Sequence, residues 1–140
     1  MDYTTLDSTI ASIAILIPPV VASPPAYPFV GVKVVKGQLE ASDELCVANA
    51  VLMYHLQTEA EQSALNTSSK NKAGFMSSDS FTGSILARKL ISGVELAPEE
   101  SKRMARMGVK YSKQLCVQLR RYAMTQDAKL ASYAMLFSVQ

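Results

Sequence analysis

Residues 101–122, SKRMARMGVKYSKQLCVQLRRY, carry seven positive side chains and no negative one. Arginines and lysines in a line do one kind of chemistry well. They neutralise phosphates and release condensed counterions, which gives affinity for nucleic acid without regard to base sequence. Drawn as one helix at roughly 100° per residue, the segment gathers Lys102, Arg103, Arg106, Lys110, Lys113, Arg120 and Arg121 within an arc of about 100°. Met104, Tyr111, Leu115, Cys116, Leu119 and Tyr122 take the opposite side and form a core-facing stripe. The cationic row is about 28 Å long at 1.5 Å per residue. Solvated helix faces usually mix signs, because like charges four apart repel. Here Lys102, Arg106 and Lys110 follow one another at that spacing. The structural alternative is that acids from the first half of the chain fold across and neutralise the row.

Lys70 and Lys72, with Arg88 and Lys89, extend this surface, and Phe75 beside the loop lysines is a candidate to stack on an unpaired base, a buried plug at the loop end being the commoner role for such a phenylalanine. The candidate nucleic-acid-binding residues are therefore Lys102, Arg103, Arg106, Lys110, Lys113, Arg120, Arg121, Lys70, Lys72 and Phe75. The other reactive side chains do not assemble into a site. His55, the only histidine, lies in the apolar run from Val51 to Leu56 and reads as a satisfied helix histidine. Glu59 and Glu61 point to different sides of a helix, and Glu99 and Glu100 suit a helix N-terminus. Cys46 and Cys116 have neither disulfide nor zinc spacing and read as small core residues of a protein in a reducing compartment. No phosphate-binding glycine loop or nucleophile elbow occurs, so no catalytic residue, metal or cofactor is expected.

The elements that position the row follow from the rest of the 140 residues. Residues 12–17 (SIAILI) and 29–37 (FVGVKVVKG) are β-branched and predict two short strands, joined by PPVVASPPAYP, a stiff proline-rich connection. Ser42 or Asp43 caps a long helix to about Leu65. A polar loop over 66–80 follows, with Gly74 as its turn residue and Ser78 or Asp79 as the next cap. The second helix, SFTGSILARKLIS, stops at Gly93. Pro98, Glu99 and Glu100 open a third helix expected to run to about Thr125. DAKLASYAMLF adds a last amphipathic piece that packs Leu130, Tyr133 and Phe137 inward. The expected fold is mainly α (α+β): three to four helices with a short N-terminal two-stranded or extended β element. Residues 1–41 form the N-terminal segment and 42–140 the helical domain of one folding unit.

Charge is divided between the halves. Residues 1–69 hold two basic and seven acidic residues, a net of −5, whereas residues 70–140 hold twelve and five, a net of +7. Such asymmetry points to an anionic partner. The longest apolar run, residues 10–21, is too short to span a bilayer and carries Pro18 and Pro19. The chain opens MDYTTLD with no basic residue, unlike a secretory leader, so a cytoplasmic protein without membrane contact is expected.

From Tyr54 to Leu115 the chain also resembles a short segment of DNA-processing and uncharacterised proteins of phages and other mobile elements. The matching residues are Gln57, Thr58, Glu61, Gln62, Thr67, Asn71, Gly74, Phe75, Asp79, Gly93, Leu96, Lys110, Tyr111, Gln114 and Leu115. Ala97 departs from the usual threonine cap and Glu100 from the usual glutamine. The resemblance implies a nucleic-acid context and transfers no catalytic residue. The expected function is that of a small non-enzymatic accessory protein that binds single-stranded DNA by a cationic helix face. The alternatives are a module or phage-type inhibitor docking an acidic partner surface, and an assembly subunit that pairs with another copy through the N-terminal strand.

Overall fold

In the computed structural model, residues 2–16, 20–21, 26–27, 32–64 and 74–126 are described. The first helix, α1 (Leu6–Leu16), begins with a reciprocal cap. The Ser8 N–H donates to Thr5 Oγ1 at 3.0 Å, and the Thr5 N–H donates to Ser8 Oγ at 3.0 Å. Two of the donors that every helix N-terminus leaves unmet are satisfied this way. Ile10 and Ile13, three apart, then share the buried face with Thr9. After α2 (Val32–Ala41) the chain turns at Ser42, whose Oγ accepts the Leu45 N–H at 3.2 Å. That cap starts α3 (Asp43–Ala64), with Asp43 and Glu44 in its first turn.

Helix α3 is the centre of the molecule and packs against α1, α2, α4 (Ser77–Ile91) and α5 (Pro98–Gly108). Its middle is enclosed on every side: Ala48, Asn49, Ala50, Val51, Leu52 and Met53 are all fully buried. A helix apolar all round belongs inside a bundle. Each large side chain removed from water there contributes about 1.5–3 kcal/mol. Helix α4 ends where glycine was expected: Gly93 has φ +83°, and the Val94 N–H returns to Lys89 O at 2.8 Å. A 3₁₀ turn (Val109–Tyr111) joins α5 to α6 (Ser112–Gln126), and α6 packs on α1 and α2.

Two expectations are corrected. The predicted N-terminal β element is not there. Over their described residues, 12–17 belong to α1 and 29–37 to α2, and the fold is helical. The only strand pairing among the described residues is two residues a side, β1 (Val20–Val21) with β2 (Ala26–Tyr27), inside the proline-rich connection. β-Branching favours a strand by fractions of a kcal/mol per residue. Spacing decides instead: Ile10 with Ile13, and Val35 with Leu39, fall on helical faces that the core buries. The strand edge through which a second copy was expected to pair is therefore a helix.

The second correction concerns the long third helix. It is two helices with a 3₁₀ turn between them, and the reason lies in α3. A Cβ built on Gly108 would fall inside van der Waals contact of the Cys46 carbonyl oxygen, so α5 meets the α3 backbone directly. The buried Asn49 amide donates to Gly108 O at 2.8 Å and to Tyr111 O at 3.4 Å, supporting carbonyls at the junction. Three residues at 3.0 per turn rather than 3.6 advance the wheel by about 60° more than a continuous helix would. The piece at 127–137, with Leu130, Tyr133 and Phe137, lies outside the described residues.

Candidate nucleic-acid interface

The start of α5 fixes the first part of the cationic row. Pro98 occupies the first turn, and the Ala97 N–H donates to Glu100 Oε1 at 3.0 Å. Glu100 Oε2 also accepts from Lys89 Nζ at 2.6 Å, which ties the end of α4 to the start of α5. These bonds hold the Glu100 carboxyl below its usual pKa, the Lys89 bond first and the Ala97 N–H next. Lys89 is thereby engaged. Arg88 is engaged too: its Nε donates to Tyr54 Oη at 3.2 Å, with the guanidinium 5.8 Å from the ring centroid. Lys89 is thus paired within the fold, whereas Arg88 is exposed and rests on Tyr54.

Lys102, Arg103 and Arg106 on α5 are exposed, as are Lys113 and Arg121 on α6. None of these five makes an ion pair among the described residues. Lys110 differs. Its Nζ lies 3.2 Å from both carboxylate oxygens of Asp79, which is buried at the start of α4. Among the described residues, the row is therefore neutralised at one position from within the fold. Asp79 was expected as a helix cap, but the α4 cap position is Met76 and carries no side-chain cap. The Asp79 carboxylate turns inward because Tyr111 Oη donates to it at 2.5 Å. Phe75 is likewise in the core rather than on the surface. It meets Tyr111 edge-on at 5.9 Å, and its ring sits where a Gly83 side chain would go, so no ring face is left to stack a base. Lys70, Lys72 and the Arg120 side chain lie outside the described residues.

Several residues that carry the resemblance meet at this junction. Gln114 donates to Gly74 O at 2.9 Å and accepts from Gly74 N at 2.8 Å. Gln57 donates to Ser80 Oγ at 2.5 Å, and Tyr111 Oη accepts the Met76 N–H at 3.1 Å. With Phe75, Asp79 and Lys110, these side chains clamp residues 74–80 onto α3, the 3₁₀ turn and α6. Gly74 needs its freedom here: φ is +94°, and a side chain would strike α3 at Gln57. The cluster is a structural joint beneath the cationic face.

Burial pushes the Tyr111 hydroxyl up to about 12, with the bond to Asp79 acting in the same direction. A pKa raised in the fold contributes stability that is whole below the unfolded value near 10 and is lost as pH rises toward 12. Tyr111→Phe is therefore expected to flatten the fall in urea midpoint between pH 10 and 12. At neutral pH the same variant loses about 1–3 kcal/mol, because Asp79 keeps its burial and loses a donor. An unchanged alkaline fall would place its cause elsewhere.

Where the end of α2 and the start of α3 adjoin α5, the surface carries opposite charge. A cleft of about 390 Å³ is lined by Glu40 and Asp43 on one bank and by Lys102 and Arg106 on the other. An adjoining hollow of about 260 Å³ adds Glu44 beside Lys102. Glu40 and Asp43 both belong to the acidic first half that the sequence offered as a cap for the row. The remaining reactive groups are structural. Cys46 Sγ donates to Leu39 O at 2.9 Å, and burial, with Asp43 second, pushes the thiol up to about 11. Cys116 is buried. His55 Nε2 donates to Tyr3 O at 2.8 Å in the tautomer that satisfies both, and so anchors the N-terminal residues to α3.

No group of three or more potential metal ligands occurs among the described residues, and no described helix is long and apolar enough to cross a membrane. Comparison with protein-family models, with curated proteins and with solved structures finds no match.

Proposed function

We propose that the protein is a small non-enzymatic accessory protein that binds nucleic acid, single-stranded DNA in particular, through the cationic face of α5 and α6. One observation carries the reading: Lys102, Arg103, Arg106, Lys113 and Arg121 are exposed and unpaired among the described residues. Five exposed cations that form no ion pair among the described residues are open to phosphates, Arg103 feeling only the longer-range charge of Glu100. The resemblance over residues 54–115 supports a phage or mobile-element setting, and two free cysteines suit a reducing, cytoplasmic one.

The test is affinity for an unlabelled oligonucleotide as a function of salt. Four phosphate contacts give a slope of log K against log[salt] of about −3 for a single strand. A flat salt response, or no binding at low salt, would end the reading. A second reading is favoured by Glu40, Asp43 and Glu44 beside Lys102 and Arg106. A mixed-charge rim suits a protein partner better than a polyphosphate, with the basic face docking an acidic protein surface. In that case an acidic partner binds and the oligonucleotide does not.

A further inference from the structure

The cleft between the α2–α3 junction and α5 has a composition that the cationic face does not explain. Its floor is apolar: Leu39, Cys46 and Ala105 are buried there, with Val109 half-buried at one end. Glu40 and Asp43 stand on one bank, Lys102 and Arg106 on the other, and no ion pair joins the banks among the described residues. Its volume of about 390 Å³ lies within the range of small-molecule sites.

A ligand with a single charge fits badly here. A phosphate seated inside the cleft, rather than against the outer face that Lys102 and Arg106 also reach, would meet two carboxylates as well as two cations, and a plain amine there would face two cations. Both banks are satisfied by a molecule that carries an anion and a cation a few bonds apart, with an apolar group between them and the floor. We propose that this cleft binds a small zwitterion with an apolar side chain, of the α-amino-acid class. The carboxylate lies against Lys102 and Arg106, the ammonium against Glu40 and Asp43, and the side chain on Leu39, Ala105 and Val109. The Cys46 thiol takes no part beyond packing, since its proton is committed to Leu39 O.

Leucine is a suitable probe, with N-acetyl-leucine and leucinamide as forms that each lack one charge. Leucine at millimolar concentration is expected to shift the amide resonances of Cys46, Ala105 and Val109 in the full chain. Each blocked form is expected to bind about tenfold more weakly. Glu40→Gln with Asp43→Asn removes the ammonium contacts, so this variant should treat leucine and N-acetyl-leucine alike. Both positions are exposed, and Ser42 still caps α3, so the fold is kept. No shift at those amides, or an equal response to all three compounds in the unaltered protein, overturns the proposal. The same double substitution should tighten oligonucleotide binding by removing repulsion, so this proposal and the nucleic-acid reading fail on different results.

Discussion

Gly108→Ala is expected to destabilise the protein by at least about 3 kcal/mol, near the upper end of what overpacking costs. The added methyl meets the Cys46 carbonyl oxygen, which is α3 backbone, and a backbone atom has no rotamer by which to withdraw. Relief requires α5 to move away from α3. That movement would pull the Gly108 and Tyr111 carbonyls off the Asn49 amide and open the face that buries Met104, Ala105 and Met107. A buried amide left without its partner adds a desolvation cost to the steric one. The melting temperature should fall by about 10 °C for a chain of this size. Gly37→Ala makes the comparison internal. Gly37 lies in the middle of α2, and nothing stands within 4 Å of the position its side chain would take. Alanine there should stabilise by roughly 0.5–1 kcal/mol, as in any open helix interior. Equal melting temperatures for the two variants would show that the α3–α5 contact is looser than described.

How much of this was legible depends on where each signal resides. Helix α3 could be read because Ser42, Asp43 and Glu44 start it, and no Gly or Pro interrupts it before Ala64. The end of α4 and the start of α5 were legible because Gly93 and Pro98 act through backbone sterics that hold in any context. The N-terminal helices were not, because valine and isoleucine were weighed by propensity. Tertiary burial at i, i+3 and i+4 overrode that preference, and the Thr5–Ser8 cap was the overlooked local signal. The exposed and buried sides of α5 and α6 were largely right: Met104, Tyr111, Leu115, Cys116 and Leu119 are all in the core. The ion pair of Lys110 was not readable, because it is made by an acid 31 positions away. No helical wheel contains Asp79, and its short distance to Tyr111 depends on packing between α4 and the 3₁₀ turn. The Gly108 contact is of the same kind, since the residue that demands a glycine is Cys46 on another helix.

The substitution with the largest expected effect on binding follows from that same distinction. Reversing Lys110 would be a poor test of the cationic face. A glutamate there would stand against the buried Asp79 carboxylate, and a lost affinity could simply report a loosened joint. Arg103→Glu, Lys113→Glu and Arg121→Glu avoid this, because the three positions are exposed and make no ion pair among the described residues. Surface changes of this sort usually move stability by less than about 0.5 kcal/mol each. The closest conflict sets Glu100 against the carboxylate that Arg103→Glu introduces on the same helix face, and it costs only a few tenths of a kcal/mol. The three positions also lie on both sides of the 3₁₀ turn, so they sample α5 and α6 together. If the face tracks a phosphate backbone, affinity for a single strand at low salt should fall by about a hundredfold or more. The salt slope should shrink from about −3 toward −1, since each lost contact removes about 0.7. An intact melting temperature with unchanged affinity and slope would show that these cations never met a phosphate. Loss in only one half, by reversing Arg103 alone or Lys113 with Arg121, would locate the contact on α5 or on α6. A strand that crosses the bend between them must feel both.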